Sequence, residues 1–203
     1  MSIAEDIRIA LLDLFPEQAE REAKKRAAAE IAARTADEDN PEAVIEAAAA
    51  EMETMELQPD AQEESEDGGR KPGIVVTDYQ SRGAHVDVFC NPDQVVEAAT
   101  ILDRNGFFLE TISGVDWIKE DRLEVIYDYS ISGSELCRVV VRTFISRSEP
   151  KIDTISEIFP GADWHERETH DFYGIEFVGH PCLEPLLLPE DADFHPLLKD
   201  FKP

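Results

Sequence analysis

Hydrophobic positions recur along this chain with more than one rhythm. Near the N-terminus Ile3, Ile7, Ala10, Leu11 and Leu14 fall three or four residues apart, the spacing of one face of an amphipathic helix. Ser2 followed by Glu5 forms a capping-box pattern at its start. Pro16 ends that helix and opens a second, EQAEREAKKRAAAEIAAR, built from strong helix formers. Asn40-Pro41 predicts the cap and first turn of a third, with Val44, Ile45, Ala48, Met52 and Met55 along one side. SEDGGRKPG, residues 65–73, has the composition of a flexible linker.

From Gly73 the period shortens to two. GIVVTDY and AHVDVFC predict two strands joined around Ser81-Arg82-Gly83. Asn91-Pro92 predicts a helix through DQVVEAATILDRN that stops at Gly106 and buries Val95, Ala98, Ala99 and Leu102. FFLETISGVDWI, DRLEVIYDYSI and ELCRVVVRTFI predict three more strands, with Leu123, Val125, Tyr127 and Tyr129 on one face and Val139, Val141 and Phe144 helping to fill the core. A short helix is expected over Ile152–Phe159, after which the periodicity fades and the chain reads as extended. The expected fold class is α+β: a mixed or antiparallel sheet with covering helices, an extended C-terminal tail and an N-terminal helical Ala/Glu-rich extension. The expected divisions are 1–72, 73–160 and 161–203.

Composition sharpens this division. Phe15 is the only aromatic residue before Gly73, whereas both tryptophans and all four tyrosines lie beyond it, so the globular core belongs to the later part. The 203 residues carry 45 acids and 19 bases, a formal charge of −26. Such a chain repels nucleic-acid phosphate and anionic lipid, and no nucleic-acid partner is expected. No run reaches the roughly 18 apolar residues of a membrane span, and MSIAEDIRIALLDLF lacks the basic region and cleavage site of a secretory signal. The expectation is a soluble intracellular chain. Cys90, Cys137 and Cys182 are scattered, with no C-x-x-C pair, which argues against a disulfide framework and against cluster or zinc ligation.

Three Ala-rich helices hold too few large apolar side chains for a core of their own. Ile3, Ile7, Leu11 and Leu14 therefore read as the ridge of a docking arm that seats in an apolar groove on a neighbouring protein, or else as part of a solvated acidic tail.

The chemistry-rich segment is ADWHERETHDFYGIEFVGHPCLEPLLLPEDADFHPLLKDF, residues 162–201. His165, Glu166, Glu168, His170 and Asp171 fall within seven residues and raise the possibility of a metal-dependent enzyme. Its weakness is spacing: histidines five apart lie roughly 140° apart around a helix and do not converge. The alternative is structural, with Arg167 paired to acids, the aromatics packed and the histidines capping turns. Arginine suits an interface because its planar fork pairs with carboxylates across chains. Gly174 allows a tight turn, Pro181, Pro185, Pro189 and Pro196 stiffen the tail, and Phe172, Tyr173, Phe177, Leu186, Leu187 and Leu188 supply apolar area.

Glu166-Arg167-Glu168, Asp171, Gly174-Ile175, Phe177 and Gly179-His180-Pro181, followed by Leu-Pro-Glu-Asp at 188–191 and His195-Pro196-Leu197-x-Lys199-Asp200, resemble the signature of the 30 kDa subunit family of respiratory complex I, the C subunit of NADH-quinone oxidoreductases. The resemblance covers about residues 73–203. It implies a scaffold subunit of the peripheral arm with no catalytic residue and no cofactor of its own. The large hydrogenase-like, quinone-site subunit and the small iron–sulfur subunit would be its partners, and membrane-arm subunits would be reached only indirectly. Iron–sulfur clusters, and in some assemblies NiFe or flavin, would reside in those partners. The chain would be peripheral on the cytoplasmic side of the cell membrane. Glu166, Arg167, Glu168, Asp171, Gly174, His180, Pro181, His195, Pro196 and Lys199 would form the signature and its interface.

Related subunits occur in energy-converting membrane-bound (group 4) NiFe hydrogenases. Two departures bear on that alternative. Where many complex I members carry arginines after Gly-His-Pro, this chain has Leu183-Glu184-Pro185-Leu186-Leu187, and where many read Pro-Leu-Arg-Lys-Asp it has Pro196-Leu197-Leu198-Lys199-Asp200. The sequence leaves the electron donor, the acceptor and the pumped ion open.

Overall fold

The structure, a computed structural model, describes residues 2–35, 71–133 and 136–202. The third helix expected from Asn40 to Met55, and the linker at 65–70, lie outside the described residues. The chain divides into two compact units, Met1–Leu14 with Pro72–Pro203, and Phe15–Lys71. Of the second unit the structure describes one helix, α2 (Pro16–Thr35), entered through Pro16 at its first turn. Most side chains of residues 16–29 are exposed.

The first unit is built on a five-stranded sheet. Strands β1 (Gly73–Val76), β2 (Val86–Phe89), β3 (Phe108–Trp117), β4 (Arg122–Ile131) and β5 (Cys137–Ser146) lie in the order β1-β2-β5-β4-β3. All neighbours are antiparallel except β2 and β5, which run parallel with Val86 opposite Val139 and Val88 opposite Val141. The sheet is therefore mixed. Between β1 and β2 lies one short helical turn, α3 (Tyr79–Arg82). Asp78 caps it at one end, and Gly83 ends it in the left-handed conformation.

Alternation along β4 sends Leu123, Val125, Tyr127 and Tyr129 to one face, all buried. Onto that face packs α4 (Val95–Arg104), entered through a 3-10 turn at Pro92–Gln94 and burying Val95, Ala98, Ala99 and Leu102, as the spacing predicts. The opposite face carries paired charges: Arg138 with Asp128, and Arg142 with Asp87 and Glu124.

Two expectations are corrected here. Helix α1 (Ile3–Leu11) forms where predicted, with the Ser2 side chain accepting from the Glu5 amide, but its ridge does not wait for a neighbour. Ile7, Leu11 and Leu14 are buried because α1 packs on α4, β1 and β5 of its own unit. Gln94 Nε2 also donates to the Leu14 carbonyl at 2.7 Å. An apolar stripe specifies that it will be covered, not by which chain, and the chain's own sheet is the nearer surface. The division at residue 72 is displaced accordingly: residues 1–14 belong with the globular unit.

The second correction concerns 152–173. The helix expected over Ile152–Phe159 is instead strand β6 (Lys151–Asp153) followed by a single turn closed from Phe159 N–H to the Ile155 carbonyl at 2.9 Å. Thr154 diverts the backbone there by accepting from the Ser156 amide at 3.1 Å. The real helix, α5 (Ala162–Tyr173), occupies the stretch read as extended and leads into β7 (Glu176–Val178), which pairs parallel with β6.

Candidate subunit interface

Helix α5 starts at the glycine after Pro160 and ends at Gly174, whose φ of +73° places it in the left-handed region. It buries Ala162, Glu166, Thr169 and Asp171, a largely polar set. Its approach to the sheet is close at one point: a Cβ on Gly114 of β3 would lie 2.6 Å from the Tyr173 ring, so glycine is required there.

Each buried polar side chain of α5 binds a different part of the backbone around it. Glu166 reaches back to the segment after β6. Its Oε1 accepts from Ile155 N–H at 2.8 Å, and its Oε2 is hydrogen-bonded to Thr154 Oγ1. Burial pushes the Glu166 carboxyl up to about 7; the hydrogen bonds from Thr154 and Ile155 act against that shift, and nearby Asp163 adds to it. His180, whose side chain is fully buried, donates from Nε2 to Asp163 Oδ1 at 2.9 Å and stands 3.8 Å from Glu166 Oε2. Its Nδ1 accepts from Cys182 N–H at 3.1 Å.

Further along, Asp171 organises the tail. Its Oδ2 accepts from three successive amides, Leu186 at 3.0 Å, Leu187 at 2.7 Å and Leu188 at 3.1 Å. Arg167 donates to the carbonyls of Glu184 at 2.9 Å and Pro185 at 3.1 Å. The expected pairing of Arg167 with flanking glutamates is thereby corrected. Glu166 points to the segment after β6, Glu168 is exposed, and the guanidinium fork grips the tail backbone. His195 Nδ1 donates to the Asp171 carbonyl at 2.9 Å, and the Leu197 amide to that of Phe172 at 3.1 Å. Gly174 is needed a second time here, since a Cβ on it would lie 2.7 Å from the His195 ring.

The end of the tail is fastened to the sheet. Asp116, buried in β3, accepts from Arg147 Nε at 2.9 Å and from the Lys199 amide at 2.8 Å, while Arg147 also pairs with Asp200. Asp116 first, and Asp200 with it, hold Arg147 above its usual range, and Arg147 in turn holds Asp200 below its own. In the sequence Asp116 stands out only as the end of a strand, and Arg147 not at all. A lone Arg at a strand terminus carries no local signal of an acid 31 residues away.

Arg167, Asp171, His180 and His195 thus hold the tail on α5 and Asp116 holds the Lys199 amide on β3, while Glu166 serves the segment after β6 and Glu168 and Pro181 are exposed. His165 and His170 do not converge: His170 Nδ1 donates to the Ile175 carbonyl at 2.9 Å. Among the described residues no three His, Cys, Asp or Glu side chains are grouped to hold a metal ion. Pro181 is exposed and Pro196 half-buried. The apolar residues divide: Phe177 is buried and Leu186 and Leu188 half-buried, but Leu187, Trp164, Leu197, Val178 and Phe194 remain exposed. At 59% and 58% exposure, Trp164 and Leu187 are the most open large apolar side chains among the described residues, and the Arg167 guanidinium lies 5.8 Å from the centre of the Trp164 ring. Among the described residues no helix is long and apolar enough to cross a membrane.

The fold class is thus α+β: a mixed five-stranded sheet with a helix that straps a polar-anchored tail to it. The sequence profile of the respiratory-chain NADH dehydrogenase 30 kDa subunit matches residues 88–203. The chain belongs to that family. The NADH-quinone oxidoreductase C subunit of Roseiflexus castenholzii is 37% identical over 134 residues, covering 64% of this chain and 76% of that one. The protein of the same name from Chloroherpeton thalassium is 41% identical over 95 residues, covering 47% and 39%. Among solved structures, a chain of the membrane-bound sulfane sulfur reductase, an archaeal respiratory membrane complex, superposes with a TM-score of 0.53 at 27% identity, covering 58% of this chain and 71% of that one.

Proposed function

We propose that this chain is a non-catalytic scaffold subunit in the peripheral arm of a complex-I-like, redox-driven ion-translocating membrane complex. Its contact surface is the outer side of α5 with the tail, and it takes the large hydrogenase-like subunit as principal partner, near the small iron–sulfur subunit. The observation that carries this reading is the use of the signature. Glu166, Arg167, Asp171, His180 and His195 are occupied with the chain's own backbone, while Trp164, Leu187 and Leu197 are left outward. A tail ordered before binding loses less entropy on association than a free one, and exposed apolar side chains beside such a rail are what a partner would cover. In this reading the chain holds no cofactor, and clusters, flavin or NiFe belong to its partners. Membrane attachment comes through those partners on the cytoplasmic side.

The likeness to a component of the sulfane sulfur reductase complex supports a complex-I-like assembly in the broad sense, and the names of the sequence relatives favour the NADH-quinone branch over a hydrogenase. Native purification on a tagged chain, with identification of the co-purifying proteins, tests the proposal. Recovery of a large hydrogenase-like subunit, lost in a Trp164→Asp/Leu187→Asp double variant, is the expected result. A chain that purifies alone under conditions preserving the membrane complex overturns it.

A further inference from the structure

Trp164, Leu187, Phe194 and Leu197 remain exposed, and backbone bonds place the last three along α5. The Leu187 amide sits on Asp171 Oδ2 at 2.7 Å, the Leu197 amide on the Phe172 carbonyl at 3.1 Å, and His195, next to Phe194, on the Asp171 carbonyl at 2.9 Å. The anchor points run from residue 164 to residue 172, about 12 Å of helix at a rise of 1.5 Å per residue. The same stretch carries carboxylates without a partner. Glu168, Glu184, Glu190, Asp191 and Asp193 are exposed, and their side chains make no hydrogen bond or ion pair among the described residues. Glu184 is placed by its carbonyl, which accepts from Arg167 at 2.9 Å. Residues 189–194 are tied at both ends to Asp171, through the Leu188 amide at 3.1 Å and through His195. At roughly 3.5 Å per residue, a loop of that length cannot carry its acids more than about 12 Å from Asp171. The exposed bases of the tail are Lys199 and Lys202. On the sheet, by contrast, charge is balanced within the chain: Arg138 meets Asp128, and Arg142 meets Asp87 and Glu124.

We propose that this apolar face docks on a basic protein surface, one that offers apolar sockets to Trp164, Leu187 and Leu197 within a rim of arginine and lysine. This rests on the reading of α5 and the tail as a contact between subunits, and it adds the charge of the opposing surface. Charge selects among the occupants. A second copy of this chain would set the free carboxylates against an identical set, with Lys199 and Lys202 as the only exposed tail bases on each side, and like charges across an interface suppress association. An anionic membrane surface is repelled by the same carboxylates. A basic protein surface gains twice. Its sockets take the apolar side chains out of water, and its arginines can fork onto rim carboxylates that are not already engaged. Rim charges act chiefly on the rate of encounter and on salt dependence, so the apolar side chains supply the grip and the carboxylates the choice of partner.

Neutralising the rim tests this. Glu190→Gln/Asp191→Asn/Asp193→Asn removes three charges without removing a bond. Asp93→Asn/Glu97→Gln/Asp103→Asn, exposed positions in α4 and the turn before it, removes the same charge elsewhere. Each is produced as the tagged full chain in cells lacking the unaltered one, and the co-purifying subunit is quantified as salt is raised. The unaltered chain should hold its partner best at low salt. The tail variant should hold on the order of tenfold less at about 0.15 M salt, with a shallower salt dependence, and the α4 variant should follow the unaltered chain. Unfolding of the free chain needs no partner and should be the same for all three; a tail variant that unfolds more easily would show that these carboxylates serve the chain's own fold, and overturns the proposal. Equal retention of the partner by the tail and α4 variants overturns the basic surface and leaves the subunit assignment standing. Recovery of a differently tagged second copy through this face, or flotation of the unaltered chain with phosphatidylserine-containing vesicles, overturns it as well. A chain that purifies alone overturns both readings, so the two failures are told apart.

Discussion

The sheet with its covering helix α4 and the segment from α5 to the tail are held together by different forces. In the first, fully buried side chains such as Leu102, Leu123 and Val125 each contribute roughly 1.5–3 kcal/mol by leaving water, and many side chains of the same kind share the work. In the second, a few polar side chains hold backbone groups of a proline-rich chain that has no ladder of its own. Asp171 binds three amides, Arg167 two carbonyls, Asp116 one amide and Glu166 one amide. A hydrophobic core spreads its stability over many exchangeable contacts. A polar strap concentrates it in a handful of residues, each with a fixed identity. That is why this segment reads as a motif and the sheet reads only as a pattern.

The largest break in this comparison should come from the core. Leu123→Ala should cost about 2–5 kcal/mol through lost burial and the cavity left behind. Denaturant unfolding followed both by tail and by sheet probes should show the two falling together, because the strap has nothing to hold without the sheet. Tail signals that persist after the sheet has unfolded would refute this dependence.

Gly114→Ala probes the junction. The added methyl would meet the Tyr173 ring at 2.6 Å, and overpacking of this kind costs about 1–3 kcal/mol. The strain should fall on α5, which can move, more than on β3, which is hydrogen-bonded along its length to β4. Amide exchange should therefore rise in 162–173 before it rises in 108–117.

Asp171→Ala separates the regions most cleanly. It removes the acceptor for the amides of 186–188, but those amides can turn to water once the tail lifts. The global cost should therefore stay near ~1 kcal/mol, the net worth of an ordinary hydrogen bond, while protection at 186–188 is lost. A drop as large as that of Leu123→Ala would mean that the tail is part of the core rather than strapped to it.

The same contrast explains what was legible in the sequence. The strands, α4 and its four buried residues follow from period and punctuation, because their burial is apolar. Helix α5 escapes because its buried positions 162, 166 and 169, correctly spaced for a helix, are Ala, Glu and Thr. Counting hydrophobes along that face finds nothing. The residues that resemble the family signature point to the right segment but not to its direction of action: Arg167 and Asp171 fit a surface for another chain, yet both are spent on the tail. The N-terminal ridge shows the converse, a correct amphipathic helix assigned to the wrong acceptor surface. In each case the missing information is which partner satisfies a group, and that lies many residues away, as with Asp116, Arg147 and Lys199.

The smallest effect expected is at the end of the strap. Asp200 is about half exposed, with 55% of its side chain accessible, and its pairing with Arg147 lowers its pKa below the usual carboxylate value of 3.8. A carboxylate so depressed contributes where it is ionised in both states, above the unfolded value. That contribution is lost only as pH falls through the lower, folded value. Between pH 5 and 8 the Asp200 contact should therefore be constant, in contrast to Glu166, whose effect lies within the range 4.5–7. Asp200→Asn should leave the unfolding midpoint unchanged within error, because an exposed pair is screened by water and salt. Protection at 198–201 should decrease slightly, and only at low ionic strength. The Asp116–Arg147 pair beneath it, with the Asp116 carboxylate shielded from solvent, should keep the Lys199 amide bound in the variant. Loss of protection at Lys199 as well would show that the exposed pair, and not the buried aspartate, fastens the end of the tail.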